Sequence, residues 1–265
     1  MPDLDQLSAP YSTILCDIWG VIHDGARLLP GAAERLGQWK RAGKTIVLIT
    51  NAPRPASTVQ AGLDALGLPR QAYDAITSSG EAGIAALVEP PRAVGFIGTA
   101  EDRADLVAHG VVIGDDFDEV ACTGLDEWRD LPADYRDQLA GWAARDVLLH
   151  CLNPDREVLH CGQRLACAGA LADLYEGLGG RVAWYGKPHP PIYAHALRLA
   201  GNPPRDRVLA IGDGLVTDMV GAARFGIDAV FISHGLHAGA DVPSDFAARH
   251  GLGCWAPIAV LADLS

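Results

Sequence analysis

Ser12-Thr13-Ile14-Leu15-Cys16-Asp17 is a short apolar run that ends on a carboxylate, and Ile18-Trp19-Gly20 follows it. A run of this length, closed by a turn signal, reads as a strand covered on both faces, as at the centre of a parallel sheet. Next comes a helical stretch, 31–42, closed by Gly43. Thr45-Ile46-Val47-Leu48-Ile49 repeats the pattern and stops at Thr50-Asn51, after which Pro53 and Pro55 keep the chain out of a strand. Another helix, 57–66, ends at Gly67. Further on, the run 181–185 stops at Gly186-Lys187-Pro188 and a helix spans 191–200. The run 207–211 stops at Gly212-Asp213, a helix spans 217–225, and 229–232 is a last strand. Strands alternating with helices predict an α/β fold with a doubly wound parallel sheet.

The middle of the chain, 80–180, has strand candidates of its own at 93–97, 118–122 and 147–151, with helices at 135–143 and 168–178. It is long enough for a small domain, and no low-complexity linker flanks it. The expected organisation is a core domain formed by 1–79 and 181–265, with an α/β domain, 80–180, inserted into it.

Composition narrows the function classes. Of the 265 residues 49% are hydrophobic and 20% charged, as in a packed globular chain. A formal net charge of -12, with no cluster of Lys and Arg, argues against nucleic acid as a partner. No apolar run approaches the ~18 residues of a membrane span, and Met1–Pro10 lacks the apolar stretch of a signal peptide. The expected location is the cytoplasm. Cysteines at 16, 122, 151, 161, 167 and 254 form no CxxC pair and read as scattered thiols. A metal site from Cys151, Cys161 and Cys167 would lack the short-spaced ligand pairs usual for zinc.

Asp17, Thr50, Lys187 and Asp213 each end an apolar run. In an open parallel sheet ligands bind beyond the carboxyl ends of the strands, so four such residues would converge on one pocket. Two carboxylates suit a hard cation such as Mg²⁺. Lys187 and that cation can neutralise a phosphoryl group, and the Thr50 hydroxyl can donate to it. An aspartate attacking phosphorus would give an aspartyl-phosphate that water then cleaves. The substrate should therefore be a small anionic molecule.

Cys16-Asp17-Ile18-Trp19-Gly20-Val21, Ile49-Thr50-Asn51, Gly186-Lys187-Pro188 and Gly212-Asp213-Gly214-Leu215-Val216-Thr217-Asp218 resemble, in order and placement, the four motifs of the haloacid-dehalogenase superfamily. His23-Asp24, Leu29-Pro30-Gly31-Ala32, Thr50–Arg54, Leu152–Asp155 and Gly186–Pro190 are similar to its class IIA, NagD-like subgroup of sugar and nucleotide phosphatases. The resemblance implies a Rossmann-like core with an inserted cap that sets substrate choice. It further implies Asp17 as nucleophile and metal ligand, the Trp19 backbone carbonyl and Asp213 as metal ligands, and Asp218 as a ligand or the orienter of metal-bound water. Thr50 and Lys187 would bind the phosphoryl group, with Asn51 lining the same pocket. Arg54, on the loop after Asn51, and Asn153 and Asp155, at the end of a cap strand, are candidates for substrate contact. The cap surface offers one route to a homodimer.

Position 19 departs from the pattern. Phosphatases of this family carry a second aspartate two residues after the nucleophile, which protonates the leaving oxygen and then activates water. Tryptophan can do neither, because its indole N–H only donates. Three alternatives follow: a leaving group that needs no proton, a substitute such as His23 or Asp24, or a different reaction. A dehalogenase would not need the Asp213–Asp218 motif, and an imine-forming phosphonatase would need a cap lysine that 80–180 lacks. A binder of phosphorylated metabolites without turnover is the remaining rival.

Overall fold

The computed structural model describes residues 4–160, 163–235 and 241–265. The strands among them, in chain order, are β1 (Thr13–Asp17), β2 (Thr45–Thr50), β3 (Ala75–Ser78), β4 (Ala93–Ile97), β5 (Val112–Ile113), β6 (Glu119–Cys122), β7 (Leu148–Cys151), β8 (Glu157–His160), β9 (Gln163–Ala166), β10 (Arg181–Trp184), β11 (Val208–Gly212), β12 (Asp228–Ile232) and β13 (Ala259–Leu261). By their contacts the residues group into two compact units.

The first unit comprises Met1–Thr50, Gln60–Thr77 and Lys187–Ser265. Its six-stranded sheet runs β13-β12-β11-β1-β2-β3, and β1 pairs in parallel with both β2 and β11. Every residue of β1 and of β11 is buried, which is why each reads as an unbroken apolar run rather than an alternating one. Leu15, Val47 and Ile49 pack against Ile192, Tyr193 and Ala196 of the helix Pro190–Leu199, and Val220 and Phe225 of a second helix join the same core.

The second unit comprises Asn51–Val59 and Ser78–Gly186. Its sheet, β10-β7-β6-β4-β5, is parallel throughout, with Cys122 opposite Cys151 and Trp184 opposite Cys151 at its carboxyl edge. The antiparallel pair β8–β9 stands apart from that sheet. Val120, Leu149, Leu171 and Tyr175 form one part of its core, Val94, Leu106 and Leu152 another.

Two differences from the sequence reading matter for function. The run 181–185 was expected in the core sheet; it pairs instead with β7, Arg181 opposite Leu148, and so closes the second unit. The run itself carries no mark of its partner, because pairing is decided by which strand lies alongside. The loop 51–59 also groups with the second unit: Gly80 N–H donates to Ala52 O, Ser78 Oγ to Arg54 O and Ala56 N–H to Glu81 Oε2. Cys122, Cys151 and Cys167 are buried and free, and burial raises each thiol's pKa. Cys161 lies outside the described residues, so the three-cysteine alternative falls partly beyond them. Among the described residues no helix is long and apolar enough to cross a membrane.

Candidate active site

Asp17 is the last residue of β1, and Asp213 directly follows β11, its parallel neighbour. Thr50 closes β2 on the other side of β1. Three adjacent strands thus deliver three polar side chains to one edge of the core sheet, all of them buried. Lys187 does not end a strand of this sheet. It enters just ahead of the helix Pro190–Leu199, and its ammonium reaches Asp17 Oδ1 at 2.6 Å and Asp218 Oδ1 at 2.9 Å.

Asp218 belongs to a π-helical turn, Leu215–Met219, in which the N–H groups of both Asp218 and Met219 donate to Gly214 O. Its second oxygen, Oδ2, accepts from Gly214 N–H at 3.1 Å and from the Thr217 hydroxyl at 3.2 Å. The carboxylate is therefore locked, with Oδ1 turned to Lys187.

Ligand oxygens of Asp17, Asp213 and Asp218 all lie within 4.8 Å of one another. Three buried aspartates and the Lys187 ammonium share this cluster. Burial, with the charge of Asp218, pushes the Asp17 pKa well above the usual carboxylate range, and Lys187 only partly opposes this. For Lys187 burial works against the charged form, but Asp17 and Asp218 outweigh it and hold the ammonium protonated. Clustered, buried carboxylate oxygens are the donor set that a hard divalent cation would take. The backbone keeps the space clear. Gly20 sits at φ +84°, and a Cβ there, or at Gly235, would run into the Asp213 carboxylate. Gly235 carried no signal in the sequence, whereas Gly214 and Thr217 lay inside the quoted motif without an assigned role.

Trp19 leans on the loop that follows. Its ring meets His23 edge-on, centroids 5.3 Å apart, and a Cβ at Gly25 would lie 2.7 Å from the indole. The indole Nε1 is buried with no acceptor among the described residues. Neither proposed stand-in is well placed as an acid. Asp24 accepts from Ala26 N–H, Arg27 N–H and Arg27 Nε, bonds that lower its pKa and keep it ionised. His23 Nδ1 accepts from Gly25 N–H, and burial lowers the ring's pKa, so near neutral pH its proton sits on Nε2 of an uncharged imidazole.

The remaining candidates lie in the second unit. Asn51 Nδ2 donates to Asp155 Oδ1 at 2.8 Å, and Asp155 N–H donates to Asn153 Oδ1 at 3.1 Å. Gly186 fits against Asn51 and Pro154 with no room for a Cβ. These three residues therefore form one polar cluster. Arg54 stands outside it, its guanidinium bridging to Glu101 at 3.0 and 3.3 Å. Trp128 is 87% exposed on the loop after β6. That loop spends its polar groups on Arg129, held by Asp126 and stacked 3.5 Å from the centre of the Tyr135 ring.

The chain belongs to the haloacid dehalogenase-like hydrolases and, within them, to the class IIA, NagD-like subgroup. The family model described as haloacid dehalogenase-like hydrolase matches residues 14–112, and a second, HAD-hydrolase-like, matches 184–252. A haloacid dehalogenase-like hydrolase of Brucella suis 1330 has 38% sequence identity, a TM-score of 0.86 and full coverage of both chains. Chronophin of Rattus norvegicus is 30% identical over 84% of this chain and 76% of its own. The ribonucleotide monophosphatase NagD of Escherichia coli K12 is 26% identical over 87% of this chain and 91% of its own.

Proposed function

We propose that the protein is a Mg²⁺-dependent phosphatase of small phosphorylated metabolites, of the sugar or nucleotide phosphate class, acting through an aspartyl-phosphate on Asp17. The observation that carries this reading is the Lys187 ammonium seated on Asp17 and Asp218, with Asp213 in the same carboxylate cluster. The names of NagD and of other relatives, a D-glycerol 3-phosphate phosphatase among them, support phosphate-ester chemistry.

Asp17, Asp213 and Asp218, with the Trp19 carbonyl, would hold the cation, which when bound supplies positive charge beside the phosphoryl oxygens. Lys187 and the Thr50 hydroxyl orient the same group. The Asp17 carboxylate attacks phosphorus, the bond to the leaving oxygen breaks, and water then cleaves the acyl phosphate to return the carboxylate and phosphate. Asn51, Asn153 and Asp155 are proposed substrate contacts; Arg54, paired with Glu101 and Asp102, would have to leave both to join them.

A second reading rests on Trp19. An indole N–H cannot hand over a proton, which favours a substrate whose leaving group departs as an anion.

The test is phosphate release from p-nitrophenyl phosphate with Mg²⁺ and with EDTA. Release that EDTA abolishes is expected; release indifferent to EDTA would remove the cation from the reading, and no release at all would remove the phosphatase. In parallel, Mg²⁺ at about 100 times its dissociation constant should stabilise the fold by about 2.7 kcal/mol in thermal melts. That gain should vanish in Asp213→Asn, and a gain that survives would place the cation elsewhere.

A further inference from the structure

Tyr193 is buried in the helix Pro190–Leu199, and no step above uses it. Its ring stacks on Phe225, centroids 5.2 Å apart, and its hydroxyl donates to Thr217 O at 3.4 Å. Thr217 is the residue whose own hydroxyl holds Asp218 Oδ2. One helix on, Gly221 packs so closely on the Tyr193 hydroxyl that a Cβ there would overlap it. The phenol thus touches the π-turn on one side and the start of the helix Val220–Phe225 on the other.

A π-turn carries an extra residue per hydrogen-bonded ring, fits its neighbours less well than an α-turn, and recurs at functional sites. It persists when the surroundings fix it. Here the widened turn sets where the Asp218 carboxylate points, because Gly214 N–H at its start and the Thr217 hydroxyl within it grip Oδ2.

We infer that Tyr193 is a positioning residue for the cation site. Its hydroxyl, bonded to Thr217 O and seated on Gly221, holds the π-turn in the register that aims Asp218. This rests on the cation reading of the Asp17–Asp213–Asp218 cluster. Groups that orient a metal ligand commonly change metal affinity by about 10- to 100-fold. The Tyr193 bond is long and acts through the turn, so the lower end is expected.

Tyr193→Phe keeps the ring on Phe225 and removes only the hydroxyl. Calorimetric titration with Mg²⁺ alone, without substrate, should show a dissociation constant raised about tenfold. The deficit in turnover of p-nitrophenyl phosphate should be larger at limiting than at saturating Mg²⁺, since the variant's defect is in holding the cation. Gly221→Ala, which presses on the same hydroxyl, should shift the constant in the same direction. An unchanged Mg²⁺ constant in Tyr193→Phe, whatever its melting temperature, would reduce Tyr193 to a packing residue. Native protein that takes up no Mg²⁺ would overturn the cation reading and this inference with it. Native protein that binds Mg²⁺ but releases no phosphate would leave this inference standing and sink only the phosphatase.

Discussion

Asp17→Asn should abolish Mg²⁺-dependent phosphate release, by at least about 10⁴-fold, the scale lost when a nucleophile that works within a unit is removed. The same change should leave the fold no less stable. Asparagine matches the shape of aspartate and keeps an oxygen for the Lys187 ammonium, now 2.6 Å from Asp17 Oδ1. It also deletes one negative charge from a cluster of three. In the native protein burial and Asp218 raise the Asp17 pKa, so ionising Asp17 works against the fold as pH rises through that range. Without cation, the variant should therefore melt at the native temperature or above it near neutral pH. Lost activity with retained or raised stability separates chemistry from collapse. Phosphate release persisting at the native rate would sink Asp17 as nucleophile. Lys187→Ala is the less informative choice, since taking one partner from a buried ion pair costs about 3–5 kcal/mol and would blur the two effects.

The parts of this site visible in the sequence are those written locally. β1, β2 and β11 are central strands, buried at every residue but Thr45, so their apolar runs are unbroken and the residue that ends each run stands out. Asp17, Thr50 and Asp213 were legible for that reason. Lys187 was legible as a motif but misplaced in the fold, because β10 pairs with β7 through a contact that no local pattern encodes. Strands as short as β5 and β13 give too few residues for a period to show. The helices Ser79–Leu87 and Ala100–Ala108 begin at Ser78 and Thr99, whose hydroxyls accept from Glu81 N–H and Asp102 N–H. Those caps were readable signals left unused. The helix expected at 217–225 is a π-turn followed by the α-helix Val220–Phe225, a difference of hydrogen-bond register with no compositional signature. The pairing of Asn51 with Asp155 spans 104 residues; each was a candidate, yet nothing in the chain linked them. Trp128 is held in solvent, although a large apolar side chain is by default a core residue.

Trp19→Asp should raise hydrolysis of alkyl phosphates by about 10²- to 10⁴-fold, the usual worth of a positioned general acid–base. The expected gain depends on the leaving group. An alkoxide is a poor leaving group and needs a proton as the phosphorus–oxygen bond breaks, so the new carboxyl should matter most there. A nitrophenolate leaves readily as an anion, so p-nitrophenyl phosphate should gain far less. The native protein, with Trp19 offering an indole N–H and Asp24 held ionised by its own turn, should show the steeper dependence of rate on leaving-group acidity. The substitution also has a structural cost. Trp19 packs edge-on against His23 and fills the space beside Gly25, so its loss empties part of that loop. Burial of an aromatic of this kind is worth about 3–5 kcal/mol when complete, and Trp19 is only part-buried, so a smaller loss of stability is expected. Rates must accordingly be compared well below the variant's melting temperature. A variant that folds, binds Mg²⁺ as the native protein does and still hydrolyses alkyl phosphates no faster would mean that the missing proton is not what limits this enzyme. Tryptophan at position 19 would then act by shaping the pocket, and the search for the substrate would turn from the acidity of its leaving group to its fit beside the indole.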